Sequence, residues 1–431
     1  MQILRVINDG VGLLFLLAFA YQFVYLLTPL FVKKKPHGEA RLHRYAVLIA
    51  ARNEEAVIGP LIDSIREQDY PAQLVTVCVV ADNCTDDTAA VAAARGAVVY
   101  ERFDRVRVGK GYALDHLLTR LWEDYGDEAF DGYLVLDADN LLESNYLTEM
   151  NKTFSDGYRV VTSYRNTKNY GDSWISAGHS LCFLRESQFL NRPRMRLGTG
   201  CVVTGTGFVV AHTLLRELGG WKCFLLSEDT EFTIRCLLRG DLIGYCEDAI
   251  FYDEQPTRMG LSCRQRMRWA KGYMQLFGRY AGKLFRGLFA KHGFACYDIL
   301  MNNIPVILLP LVSVLVNLST LFYGLTQGMD TFDAVAALVR TGVDAYVMLF
   351  VMGAVTLFAE WRRIHASVPR KLWSLFTFPL FMFTFMPIAV VAFFRKVEWT
   401  PIAHTRTVTL RELNGKGRKW KRRGKSYVGN H

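Results

Sequence analysis

No two of the nine cysteines stand at a C-x-x-C spacing, and the set is odd and scattered. That argues against a disulfide framework or a zinc site and for a reducing compartment. A general basic excess is missing too. Net charge is +10, but residues 396–431 hold ten Lys/Arg against two Asp/Glu, so the rest is close to balanced. A basic tail near a membrane fits this better than a nucleic-acid surface. The glycine-rich stretch Gly198 to Gly207 has no Lys-Ser/Thr after it. It reads as a close-packed loop rather than a phosphate cradle.

What is present points to a soluble domain joined to membrane segments. Hydrophobic residues make up 51% of the 431, high for a wholly soluble chain and low for an all-membrane one. Val11 to Val32 is uncharged and long enough to span a bilayer, and no small-residue cleavage site closes it. Lys33, Lys34 and Lys35 follow, which places residue 36 onward in the cytoplasm. Residues 40–280 form the expected cytoplasmic domain of a multi-pass protein of the cell membrane. Gly282–Phe294 is amphipathic and basic, which predicts an interfacial helix within 281–300. Three apolar stretches, Ile304–Leu325, Val343–Trp361 and Leu372–Phe394, mark a membrane region over 301–395. Three full crossings would leave the basic tail, 396–431, outside, against the positive-inside rule. Pro379 and Pro387 in the last stretch instead predict a broken, re-entrant or interfacial segment.

From Arg44 the pattern alternates strand and helix. Tyr45–Ala51, Leu74–Ala81, Ala97–Glu101 and Tyr133–Leu136 read as strands, with helices between them. This predicts an α/β domain with a mostly parallel central sheet. Further strands are expected at Val160–Tyr164 and Phe208–Ala211, and a long helix at Trp174–Leu190. Asp137 and Asp139 leave one strand end pointing the same way. Ligands bind beyond the carboxyl ends of such strands, and two hard oxygen ligands there suit a divalent cation. Ser227, Glu228 and Asp229 open another helix, where Ser227 or Asp229 could be simple caps. Gln265, Arg268 and Trp269 share a helix face at i, i+3 and i+4. His179 and His212 read as satisfied polar groups, not ligands.

Four motifs then stand in order: Ala51-Arg52-Asn53-Glu54-Glu55, Val80-Ala81-Asp82 through Thr88, Asp137-x-Asp139, and Ser227-Glu228-Asp229 followed by Gln265-x-x-Arg268-Trp269. Over residues 44–280 the chain resembles the membrane-embedded family 2 glycosyltransferases, the group of cellulose, chitin, hyaluronan and poly-N-acetylglucosamine synthases. The resemblance implies a glycosyltransferase-A fold, a UDP-sugar donor and manganese or magnesium. It makes Glu54, Asp82, Lys110, Asp137, Asp139 and Arg268 donor-binding, with Asp139 on the metal. Asp82 would read the base, although Ala81 replaces an acid often found beside it. Asp229 would be the general base, with Glu228 next to it in the catalytic motif, and Gln265 and Trp269 would meet the acceptor. Inverting transfer is implied, to a growing β-linked polysaccharide coupled to export. The alternatives are one sugar added to a lipid, as in ceramide glucosyltransferases, or a transporter or scaffold with a vestigial domain. The motifs do not address a homo-oligomer or an export partner. After the last apolar stretch, Trp399 and Thr400 are expected to gate the donor pocket, or to anchor at the membrane surface; His404 and Arg406 follow them.

Overall fold

The structure is a computed structural model that describes residues 2–303, 305–327, 332–402 and 404–413. Helix α1 (Gln2–Phe31) precedes a regular alternation of β1 (Tyr45–Ala51), α2 (Ile58–Arg66), β2 (Val75–Asp82), α3 (Thr88–Ala94), β3 (Val98–Arg102), α4 (Lys110–Tyr125) and β4 (Gly132–Asp137). A less regular half follows: β5 (Leu141–Leu142), α5 (Tyr146–Ser155), β6 (Val160–Thr167), α6 (Trp174–Arg185), α7 (Arg192–Leu197), β7 (Phe208–Ala211), α8 (His212–Leu218), α9 (Glu228–Arg239) and β8 (Gly244–Asp253). Six helices complete the chain: α10 (Met259–Gly287), α11 (Gly293–Asn303), α12 (Pro305–Thr326), α13 (Phe332–Ala359), α14 (Val368–Phe383) and α15 (Phe385–Phe394).

The eight strands form one sheet in the order β3-β2-β1-β4-β7-β6-β8-β5. The first four are mutually parallel, β7 is antiparallel to both neighbours, and β6 and β8 are parallel again. Alternate residues of β1 serve opposite faces, as the period of two requires. Ala46 and Leu48 pack with Leu114, Leu117 and Leu121 of α4. Val47 and Ile49 pack with Ile58, Leu61, Ile62 and Ile65 of α2. Register pairs Ala51 with Ala81 and Ala50 with Asp137, so β1, β2 and β4 end side by side. That alignment brings the first three motif loops to one edge.

The glycine-rich stretch is the close-packed loop expected. Gly207 has φ +68, and a β-carbon there would overlap the Phe251 ring. Its N–H donates to Val135 O at 2.9 Å and its carbonyl accepts Ser163 Oγ at 2.6 Å.

Among the described residues three stretches are long and apolar enough to cross a membrane: Asp9–Phe31, Leu338–Ala359 and Val368–Phe394. The last is broken at Thr384, between α14 and α15. Neither half stands free of the domain. Helix α14 lies on α6, where Tyr170 Oη meets Ser374 Oγ at 2.6 Å and Gly178 leaves room for Phe381. Helix α15 lies on α10 through Ala270, Ala389 and Ala392. Buried Arg266 pins the break. It donates to Thr384 Oγ1 at 2.6 Å and lies over the Phe381 and Phe385 rings at 4.5 and 4.7 Å.

The chain then returns to the domain. Thr407 Oγ1 donates to Ala56 O at 3.1 Å, and Val408 and Leu413 pack with Leu141 and Tyr252. Both flanks of α14–α15 therefore pack on the same α/β domain. The most basic part of the tail, 414–431, lies outside the described residues. The expected interfacial helix over Gly282–Phe294 is not a separate element. Its first half ends α10 and its last residues open α11, because Leu284, Ala295 and Cys296 dock on Ile234 and Leu237 of α9.

Two outcomes follow. A protease site placed near residue 38 and one placed after residue 413 should be cut from the same face of sealed vesicles; cleavage from opposite faces refutes the return of the tail. Gly207→Ala should lower the unfolding midpoint, by at least about 1 kcal/mol of stability, since alanine must adopt positive φ against a ring.

Candidate active site

Beyond the strand ends lies a cleft of about 400 Å³. Glu54, Asp82, Lys110, Asp137, Asp139, Glu228, Asp229, Gln265, Arg268, Trp269 and Trp399 all line it. Of the residues assigned to the donor, acceptor, catalytic or gating roles from sequence, Thr400 does not border the cleft and is exposed.

Asp137 and Asp139 are set by a compact hydrogen-bonded turn. The Asp137 N–H donates to Thr206 Oγ1 at 2.9 Å and Asn140 Oδ1 at 3.1 Å. Its carboxylate pairs with Lys110, whose ammonium also donates to Gly205 O at 2.7 Å. Asp139 is buried and accepts the Glu254 N–H at 2.7 Å. Burial alone would raise its carboxyl, but His404 and Lys168 hold it below the usual range. His404 comes from the returning tail and meets Glu54 Oε1 at 2.9 Å. Burial works against its charge, yet Asp139 and Glu54 raise it to about 10.

Among the described residues no three His, Cys, Asp or Glu side chains form a metal cage. Magnesium-like cations need only one or two carboxylates when substrate phosphates complete the shell. Asp139, with Asp137 beside it, fits that partial set. Glu54 Oε2, buried in the same cleft without a partner, adds an unused acceptor; burial pushes the Glu54 carboxyl up despite the His404 bond.

Asp82 is buried and held by Arg102 at 2.5 Å and by Asn83 Nδ2 at 3.1 Å, both on Oδ1. Oδ2 is left for an outside donor such as a base N–H. This arrangement supplies rigidity where Ala81 offers no second acid.

Across the cleft, Ser227 holds the N-cap position of α9, but its side chain caps nothing. Ser227 is therefore not a side-chain cap, whereas Asp229 Oδ1 does accept a first-turn N–H, that of Thr230. Ser227 Oγ is buried without a partner against Gly272 of α10. Glu228 is lifted to about 7, first by burial and then by the charge of Asp229. Burial also raises Asp229, although its Oδ1 accepts the Thr230 N–H at 2.7 Å. Arg268 Nε and Gln265 Oε1 are buried without partners. Such orphaned groups carry a desolvation cost that a ligand can relieve. Trp269 borders the cleft and meets His179 and Phe183 edge-on, at 5.8 and 6.0 Å between centroids. His179 bonds Ser262 Oγ at 2.8 Å, and burial lowers it to about 3, so it is a neutral support. His212 Nδ1 faces Asp131 O at 3.4 Å and does not border the cleft.

Sequence reasoning missed several lining residues. Arg165, at the end of β6, pairs with Asp253, donates to Thr204 O at 2.7 Å and lies 3.5 Å over Phe183. Asp253 ends β8, a strand the sequence hid. Arg52 lies 5.4 Å from the Trp399 ring. A signal existed for Arg165 and Asp253, since both sit at strand ends; none existed for the reach of His404.

Comparison with known proteins agrees with this geometry. The description "Glycosyltransferase like family 2" belongs to the profile that matches residues 43–272. The beta-monoglucosyldiacylglycerol synthase of Synechocystis is 26% identical over 54% of this chain and 48% of its own. The poly-beta-1,6-N-acetyl-D-glucosamine synthase of Staphylococcus epidermidis is 22% identical over 56% of this chain and 59% of its own. The chain thus spans about half to three-fifths of the curated relatives it matches. The mannosyltransferase PcManGT of Pyrobaculum calidifontis, solved with GDP-Man and Mn2+, superposes with a TM-score of 0.59 at 19% identity. That likeness covers 90% of this chain and 98% of the other, and shows a shared glycosyltransferase-A-like fold. The profile covers more than half of the chain, and the chain belongs to glycosyltransferase family 2.

Proposed function

We propose that this protein is a membrane-integrated, inverting glycosyltransferase that moves a sugar from a UDP-sugar to a hydroxyl presented from the membrane side. The observation that carries this reading is one cleft with two unlike walls. One wall holds Asp82, Lys110, Asp137 and Asp139; the other holds Asp229, Trp269 and the apolar Phe385, Ile388 and Ala389 of α15.

The chemistry is a single displacement. The Asp229 carboxylate takes the proton of the acceptor hydroxyl as its oxygen bonds to the anomeric carbon. The bond from that carbon to the diphosphate breaks, and the nucleoside diphosphate leaves with the electron pair. Attack from the face opposite the leaving group inverts the centre. Lys110 and Arg268 stand where negative charge develops on the diphosphate. When bound, Mn2+ or Mg2+ held at Asp139 would supply further charge stabilisation there. Asp82 reads the base, and Glu54 with His404 closes the cleft over the nucleotide side.

The apolar wall of α15 favours a lipid acceptor that receives one sugar. The polymer reading stays because Trp269 offers an indole to a sugar ring. In that reading the same protein extends a β-linked glycan, with export by its own helices or a partner. The catalytic domain faces the cytoplasm in both.

The deciding experiment incubates the purified protein with several UDP-sugars and GDP-mannose, manganese and lipid vesicles. UDP release with a singly glycosylated lipid supports the first reading, a ladder of products supports the second, and no nucleotide release from any donor refutes transfer. Asp229→Asn should lower kcat at least about 100-fold while UDP binding stays intact; a still-active variant refutes the base assignment. The rate should also fall on the acid side at a pH above the ordinary aspartate range of about 4. Burial raises Asp229, so its base form is lost earlier on acidification; a kcat profile flat to pH 4 would contradict this.

A further inference from the structure

A second cavity of about 210 Å³ adjoins the cleft, and Cys182, Glu186, Val202, Thr230 and Tyr273 line both. Its remaining wall brings Arg185 and Arg194 together with Met352 of α13 and Phe378 and Met382 of α14. The space thus starts one residue from Asp229 and ends among helices apolar enough for a membrane.

Its polar lining is balanced in charge. Arg194 makes a two-pronged pair with Asp298, at 2.7 and 3.0 Å, and that carboxylate also accepts from Tyr21 and Tyr25. Arg185 donates to Gln22 Oε1 of α1 at 2.5 Å and has the Glu186 carboxylate as its neighbour in the chain. An anionic ligand would meet Glu186, and a cationic one would meet two guanidinium groups. A neutral group rich in hydroxyls suits both, since carboxylate and guanidinium offer acceptors and donors to O–H.

Glu186 occupies the joint between the two spaces. Among the described residues it is the only acidic one that lines both. The helix changes there from α to π winding, over Glu186–Asn191. Single π turns inside α-helices are frequent at functional sites. The Asp229 charge adds to burial in raising its carboxyl, against the pull of Arg194, Arg165 and Arg185.

We propose that Glu186 is an acceptor-binding residue, and that the adjoining cavity seats the neutral, polyhydroxyl head of the acceptor while its reactive hydroxyl faces Asp229. This rests on the transfer reading above. The head could belong to a neutral lipid or to the end of a glycan, and the same chemistry recognises both.

The test uses the full-length protein in detergent with lipid vesicles. Wild type, Glu186→Gln and Met352→Trp are compared for UDP binding, for donor hydrolysis without acceptor, and for transfer. Acceptors are vesicles of a neutral glucosyl-diacylglycerol, whose head is rich in hydroxyls, phosphatidylglycerol vesicles and a soluble β-linked oligosaccharide. Both variants should raise the KM of a neutral acceptor about tenfold or more, with UDP binding within twofold of wild type. The neutral acceptor that shows this shift identifies the source of the head. If Met352→Trp fails to fold, Glu186→Gln decides alone, since it keeps the side-chain volume. Unchanged acceptor KM in the folded variants overturns the proposal, as does equal use of phosphatidylglycerol by the wild type. A wild type that binds UDP but transfers to neither neutral acceptor overturns the assigned ligand class. A wild type that neither binds UDP nor releases it fails the transfer reading itself, a different result.

Discussion

The cleft gathers more carboxylates than a protein interior tolerates without compensation. Glu54, Asp137, Asp139, Glu228, Asp229, Asp253 and Glu254 share one space of about 400 Å³. Each would cost several kcal/mol as an isolated buried anion. The chain answers with cations from four distant places: Lys110 from α4, Arg165 from β6, Arg268 from α10 and His404 from the tail. Compensation is uneven, and the unevenness carries the chemistry. Asp137 and Asp253 are paired with protein cations. Glu228 and Asp229 are not, so burial keeps their carboxyls high and Asp229 retains basicity for a proton.

The membrane helices contribute to the same balance by shape. Because α15 lies along α10, the helix that carries Gln265, Arg268 and Trp269 has an apolar floor instead of water behind it. The contact depends on small residues, Ala270 against Ala389 and Ala392, and on Arg266 holding the break at Thr384. A continuous helix over 368–394 would carry α15 away from α10 and open the cleft on that side. The proline-marked interruption is therefore part of the active-site wall.

Much of this was legible in the sequence, for identifiable reasons. Strands β1, β2 and β4 are buried on both faces, so they read as short apolar runs, and the acids at their ends followed directly. The helical spacing of Gln265, Arg268 and Trp269 fixed a shared face that the structure turns into the cleft. Strand β8 was hidden because Glu247 and Asp248 interrupt its apolar pattern, where a register shift between Ser163 and Tyr164 absorbs the irregularity. Asp253 was lost with it, whereas its partner Arg165 directly follows the strand read at Val160–Tyr164. The role of His404 was out of reach for another reason: its partner Glu54 is 350 positions away, and local spacing holds no record of such a contact.

A single backbone carbonyl links the two halves of the site. Lys110 bridges Asp137 and Gly205 O, and a β-carbon added at Gly205 would lie 3.6 Å from Asp229 Oδ2. Gly205 has φ +88, and two residues on Gly207 has φ +68, so the loop turns twice where a side chain would be strained. Thr206 between them accepts the Asp137 N–H and donates to Asn140. The loop thus reads the position of the strand-end acids on one side and sets the floor beneath the base on the other. Asp137 and Asp229 are thus tied to one loop. In the transfer proposed above, which aligns an attacking oxygen with a departing diphosphate, such rigidity would lower the cost of reaching the reactive geometry.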